Sequence, residues 1–116
     1  MTTLQEIFNK AYLGVVGQGW FARTPYGGCY YTLGEKHCAA GWLLTEEQRQ
    51  RVIDLKLNNQ PFERVNRELN VVPFEHELFV IAMQMIHDDC EQMDEFILQM
   101  KKLAFNNNLT VPEMPA

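Results

Sequence analysis

The sequence predicts a single α+β domain that is mostly helical, with four or five helices and one small β-hairpin near residues 29–38. The helices are predicted by apolar residues at helical spacing and by capping residues at the start of several segments. The hairpin is predicted by an aromatic and polar run around Leu33-Gly34. Because 116 residues suffice for one hydrophobic core, residues 1–116 are expected to form one domain with a flexible tail over residues 110–116.

The first helix is predicted over about Thr3 to Val16. Thr3 and Glu6 match a capping box, and apolar residues follow along one helical face. Three glycines within residues 14–19 are expected to end this helix, because glycine is costly inside helices. They do not form a phosphate-binding loop, since the spacing is not G-x-G-x-x-G and no strand precedes them.

Further helices are predicted from Thr45, with Val52 and Ile53 facing inward, and from Pro61. The strongest apolar pattern starts after Pro73 and predicts a helix central to the domain. One stripe of this helix consists of Phe74, Leu78, Ile81, Ala82 and Met85, and Phe79, Val80, Met83 and Ile86 widen it. A last helix is predicted over residues 93–104.

The predicted hairpin brings two cysteines together. If Leu33 and Gly34 form a two-residue turn, Cys29 faces Cys38 on the opposite strand. Directly opposed Cβ atoms lie about 4.5–5.5 Å apart, so the two thiols could form a strained disulfide or lie side by side as small buried groups. The chain has three cysteines and no secretory signal, which favours free thiols in a reducing compartment.

Charge excludes some classes of function. The formal net charge is -5, so a general attraction to nucleic-acid phosphates is not expected. No segment is long and apolar enough to span a membrane, and the expected location is the cytoplasm. Residues 68–100 contain eight acids and no Lys or Arg, whereas the rest of the chain holds seven acids and ten bases. This acidic segment is either an ordinary solvated surface or a surface that meets a basic partner.

Two constellations could carry chemistry. Cys38 at a helix start could act as a thiol nucleophile with His87 as its base, oriented by Asp88 or Asp89. A zinc site could instead collect Cys29, Cys38, His87 and Cys90. No nucleophile signature surrounds Cys38, and the cysteine spacing is not that of a zinc knuckle. A helix end followed by an N-cap explains the aspartates without chemistry, and no cofactor is expected.

The chain resembles a family of small phage and prophage proteins for which no activity is established. The residues that carry the resemblance are Gly28-Cys29-x-Tyr31, then Lys36-His37-Cys38-Ala39-Ala40-Gly41-x-Leu43, and later Ile86-His87-Asp88. The chain departs from the family pattern at Thr32, where the family has a basic residue, and at His37, which separates the lysine from the cysteine. The resemblance implies a phage accessory protein and transfers no catalytic residue.

Together these observations favour an interaction protein that binds and modulates or inhibits a host protein, such as a defence or nucleic-acid-processing protein with a basic surface. Aromatic side chains dominate many interfaces, so the first candidate contacts are Trp20, Phe21 and Tyr26. The second candidate surface consists of Asp88, Asp89, Glu91, Asp94 and Glu95. A homo-oligomer is also compatible with the sequence. The competing hypothesis is a small thiol- or zinc-dependent enzyme that uses Cys38 and His87.

Overall fold

A computed structural model describes residues 3–22 and 30–114. These residues form five α-helices and two short 3-10 turns, at Gly41–Leu43 and Phe74–His76. The helices are α1 (Leu4–Gln18), α2 (Glu46–Asp54), α3 (Phe62–Leu69), α4 (Glu77–Asp89) and α5 (Met93–Asn106). The described part of the chain is therefore all-helical, and the predicted α+β class is wrong.

The predicted β-hairpin near residues 29–38 is absent from residues 30–38. The only β pairing there is one isolated antiparallel bridge between Leu33 and Lys36. The tight turn therefore lies at Gly34-Glu35, where Gly34 has a φ of +62°, one residue later than predicted. Cys29 lies outside the described residues, so the structure describes no contact between it and Cys38.

Backbone groups on both sides of the turn bond to partners outside a hairpin. Asn58 accepts from the Thr32 backbone N–H and donates to the Thr32 carbonyl, both at 3.0 Å. The backbone N–H of His37 donates to the Gln18 side chain at 3.0 Å. Leu33 and Lys36 exchange both backbone hydrogen bonds, so the next hydrogen-bonded pair of a ladder would be Tyr31 and Cys38. Instead, the Tyr31 N–H donates to the Asn58 carbonyl at 3.3 Å and the Cys38 N–H donates to the Tyr30 carbonyl at 3.1 Å, so the ladder stops after one bridge.

Local capping residues set the beginnings of α1 and α2. The Thr3 hydroxyl accepts the Glu6 backbone N–H at 3.1 Å, and Thr45 and Gln48 form a reciprocal capping box. Helix α1 continues through two glycines to Gln18 and ends at Gly19, whose φ of +80° is left-handed. It is thus slightly longer than predicted.

The core is formed where α1 packs against the first 3-10 turn, α4 and α5. Glycines at two positions permit this close packing: a Cβ on Gly14 would overlap the indole ring of Trp42, and a Cβ on Gly41 would overlap the Tyr31 carbonyl. After α5 the chain returns to α1, where Thr110 and the Gln5 side chain exchange hydrogen bonds. In α2, Val52 is buried as predicted, but Ile53 is 50% exposed.

Candidate functional site

Helix α4 and the 3-10 turn before it carry a row of exposed apolar side chains. Phe74 is 85% exposed, Leu78 is 79% exposed and Met85 is 59% exposed, with half-buried Ile81 and Ala82 between them. We call these five residues the α4 stripe. Leu78, Ile81, Ala82 and Met85 lie on one face of α4, and Phe74 lies in the 3-10 turn that leads into this helix. The sequence predicted a central helix, and α4 does pack into the core, but through a different face.

The buried face of α4 consists of Phe79, Val80, Met83, Gln84 and His87. Helix α4 is apolar on nearly all sides, but α1, α3 and α5 cover only part of its surface. Apolar periodicity alone therefore predicts a well-packed helix without showing which side remains open. The stripe is the part that this chain leaves in contact with solvent.

Acidic side chains flank the α4 stripe at its Met85 end, whereas the groove beside Phe74 is lined by Arg67 as well as Glu63 and Glu77. A groove of about 410 Å³ between α4 and α5 is lined by Met85 together with Asp89 and Glu95. A smaller groove of about 150 Å³ toward α3 is lined by Met85 together with Glu63 and Asp88. Met85 thus borders both grooves, and each groove contains two carboxylates. Three of these four acids, Asp88, Asp89 and Glu95, lie within residues 68–100, a segment that contains no lysine or arginine.

The acidic residues predicted as a contact surface lie at the end of α4 and the start of α5. Asp89, Glu91, Asp94 and Glu95 are exposed. Asp88 is half-buried and accepts a hydrogen bond from the Gln84 side chain at 3.0 Å.

The three predicted aromatic contacts have different surroundings. Trp20 is 41% exposed. Phe21 is half-buried, and its ring packs edge-on against His87 at 5.2 Å and Phe96 at 5.7 Å between ring centres. Tyr26 lies outside the described residues. Of the two described aromatics, Trp20 is therefore the one with a substantial surface open to a partner.

Cys38 and His87, the nucleophile and base of the alternative thiol site, are buried. Cys38 and His87 are 0% exposed and Cys90 is 2% exposed. His87 Nδ1 lies 3.0 Å from the Asp88 carboxylate, which belongs to a network that continues through Gln84 to the Ala40 backbone N–H. This network ties α4 to the chain segment before the first 3-10 turn, so it has a clear structural role.

The alternative zinc site is not assembled by the described residues. Within residues 3–22 and 30–114, no three His, Cys, Asp or Glu side chains lie close enough together to bind one metal ion. Cys29, the fourth predicted ligand, lies outside these ranges.

A second concave site, which sequence reasoning missed, lies between α2 and the segment before the first 3-10 turn. It has a volume of about 370 Å³ and is lined by Thr32, Gly34, Glu35, His37, Trp42, Glu46, Arg49, Gln50 and Ile53. The Arg49 guanidinium lies 5.7 Å from the centre of the Trp42 ring, and the edge of His37 meets that ring at 4.7 Å. These residues come from separate segments with no shared motif, so no local signal could have grouped them.

The two basic groups of this second site, His37 and Arg49, differ in their charge at pH 7. Burial lowers the pKa of His37, and nearby Arg49 lowers it further, while a hydrogen bond with the Tyr31 carbonyl acts in the opposite direction. Burial also lowers the pKa of Arg49, with Glu46 opposing that change. His37 is therefore neutral at pH 7, and Arg49 keeps its charge because its ordinary pKa is so high.

Comparisons with known proteins assign no role to these residues. No protein-family model, no curated protein and no solved structure matched the chain. Among the residues that the structure describes, no helix combines the length and apolar character needed to cross a membrane.

Proposed function

We propose that the protein is a small accessory protein of the phage type that binds and modulates or inhibits a host protein in the host cytoplasm. The observation that carries this proposal is the α4 stripe between two acidic grooves. Exposed apolar side chains that form one continuous row are typical of interaction surfaces, whereas isolated ones are common on any protein. The acidic segment, residues 68–100, places negative charges beside this row.

The energetic argument concerns Phe74, Leu78 and Met85. Full burial of a side chain of this size contributes about 1.5–3 kcal/mol relative to exposure. Three such residues on one helical face can therefore provide the centre of an interface, with affinity set by what remains after the cost of association. These three side chains offer this area without rearrangement of α4, because they are already exposed.

Charge identifies the kind of partner that fits. Asp88, Asp89 and Glu95 border the grooves beside Met85, so a partner with an apolar centre and a basic rim is complementary. A second copy of this chain that docked by the same face would bring the two acidic rims together. Nucleic-acid phosphates would be repelled for the same reason. A host protein with a basic surface, such as one that itself handles nucleic acid, is the proposed occupant.

The proposal does not extend to the thiol or zinc enzyme. The buried positions of Cys38 and His87 offer no opening through which a substrate would reach the thiol. No observation on the described residues favours that function over the interaction surface.

The test is capture of a partner from host cells by variants of the tagged protein. Phe74→Ser and Leu78→Ser remove parts of the stripe, and Phe105→Ser is the matched control because Phe105 is 82% exposed on α5 and is not in the stripe. We expect the unmodified protein and Phe105→Ser to recover the same partner after crosslinking. Each stripe variant should recover it at least about tenfold less well, with unchanged thermal unfolding.

Three outcomes would contradict this proposal. Equal recovery by the stripe variants would show that the partner binds elsewhere. Recovery that does not weaken as salt is raised, or with Asp89→Asn and Glu95→Gln, would argue against a basic partner. A dimer of this chain that is lost in Leu78→Ser would assign the stripe to self-association.

A further inference from the structure

The pocket between α2 and the segment before the first 3-10 turn is separate from the α4 stripe. None of its lining residues belongs to the stripe or to the acidic grooves around it. Its volume of about 370 Å³ lies in the range of sites that hold small molecules. The pocket is therefore large enough to hold a small molecule.

Arg49 provides a fixed cationic group in this pocket. Its Nε–H donates to the Gly41 carbonyl at 3.2 Å, and its guanidinium carbon lies 5.7 Å from the Trp42 ring centre. In the described part of the chain, the terminal nitrogens Nη1 and Nη2 donate to no protein acceptor, and Arg49 forms no ion pair with a carboxylate. A half-buried guanidinium held in this way presents two parallel donors to an incoming carboxylate.

The walls beside Arg49 are held in place by other contacts. The Trp42 indole N–H donates to the Gln18 side chain at 3.1 Å, and the ring lies against Gly14. His37 Nδ1 lies 3.1 Å from the Tyr31 carbonyl. Since a carbonyl oxygen can only accept, Nδ1 carries the proton of the neutral ring. His37 thus adds an uncharged wall, and the charge of the pocket comes from other residues.

The charges lining the pocket decide between classes of ligand. Glu35 and Glu46 line it together with Arg49, so two carboxylates share the space with one guanidinium. A dianionic phosphate would be attracted by one of these groups and repelled by two. A ligand with one carboxylate and one ammonium group instead finds a partner for each charge, while Trp42 and Ile53 supply apolar surface.

We propose that this pocket binds a small zwitterion of the α-amino acid class. The ligand carboxylate bonds to the Nη atoms of Arg49, and its ammonium group faces Glu35 and Glu46. An apolar side chain of the ligand lies along Trp42 and Ile53. This site is independent of the proposed host-protein surface and would exist whether or not that proposal holds.

The experiment is an NMR titration of the full chain with L-leucine and two truncated probes. 4-Methylpentanoate lacks the amino group of leucine, and isopentylamine lacks its carboxylate. We expect L-leucine to shift the Trp42 indole N–H and Arg49 Nε–H signals in a saturable way, while the Trp20 indole signal stays in place as an internal reference. Both truncated probes should bind at least about tenfold more weakly, because each leaves one charge of the pocket unpaired.

Variants on α2 test the contacts of the ligand carboxylate and of its ammonium group one at a time. Arg49→Gln should weaken L-leucine binding at least about tenfold, whereas Arg51→Gln should leave it unchanged, because Arg51 is on the same helix and does not line the pocket. Glu46→Gln should weaken L-leucine but not 4-methylpentanoate, and this result does not depend on the stability of the Arg49 variant. The proposal is overturned by an absence of saturable shifts, by inorganic phosphate binding as tightly as L-leucine, or by equal losses in the Arg49 and Arg51 variants.

Discussion

Two glycines in α1 allow a matched test of how closely the Trp42 ring packs. Gly14 and Gly17 lie one turn apart in the same helix, and each can be replaced by alanine. A Cβ on Gly14 would lie 2.7 Å from Trp42 Cδ1 and would overlap other ring atoms more closely. Among the residues that the structure describes, a Cβ on Gly17 would meet only the Met114 methyl group, at an ordinary contact distance of 3.8 Å. The same chemical change therefore meets a filled space at one position and open space at the other.

The magnitude follows from two opposing effects. Glycine to alanine inside a helix stabilises by about 0.5–1 kcal/mol. Overpacking against a ring that cannot move freely costs about 1–3 kcal/mol. We therefore expect Gly17→Ala to raise the free energy of unfolding by up to about 1 kcal/mol, and Gly14→Ala to lower it by roughly 0.5–2 kcal/mol. For a domain of this size each 1 kcal/mol corresponds to a shift in Tm of about 4 °C.

The assay is denaturant unfolding at equilibrium, with the slope m as a check that both variants unfold like the parent. In a Trp42→Ala background, Gly14→Ala should no longer lower the free energy of unfolding, because the ring that the new methyl group meets is absent. Equal stability of the two alanine variants would refute the reasoning. So would a loss at Gly14 that persists undiminished without the Trp42 ring.

Two further predictions concern buried polar groups. Gln84→Ala should lower the free energy of unfolding by about 1–3 kcal/mol in denaturant unfolding, because it leaves the buried Ala40 N–H without its acceptor. The control Gln50→Ala, at an exposed position, should lower it much less. Equal losses in the two variants would contradict this account. Folding lowers the pKa of His37 from its ordinary value of about 6.5. Between the folded-state pKa and that ordinary value, the unfolded chain therefore binds more protons than the folded protein. The free energy of unfolding should therefore fall as pH drops below about 6.5 and level off below the folded-state pKa. His37→Gln should flatten this part of the pH profile. An identical profile in the variant would show that His37 does not contribute.

Residues whose partners are local in the chain were predictable. Thr3 and Thr45 cap helices through contacts with residues three positions later, so their roles can be read from spacing alone. The turn register could not be read in this way. It depends on distant segments, because the Tyr31 N–H that a hairpin ladder would have paired with Cys38 donates to the Asn58 carbonyl instead.

The candidate sites show the same difference between features set by neighbouring residues and features set by distant segments. The spacing from Phe74 to Met85 marked an apolar helical face, but an apolar pattern cannot tell a buried face from an open one on a helix that is apolar nearly all round. The pocket around Arg49 had no signal in the sequence at all, because Trp42 and His37 reach it from another segment.

By itself, the sequence determined the starts of α1 and α2, the acidic character of residues 68–100 and the presence of apolar helical faces, because capping, charge and periodicity are properties of neighbouring residues. Only the tertiary structure decided which face of α4 stays exposed, that residues 30–38 form no hairpin, and that Arg49 meets Trp42 beside two carboxylates. These features depend on which distant segments pack together, and the free energy of that packing is shared among contacts that no single stretch of sequence contains.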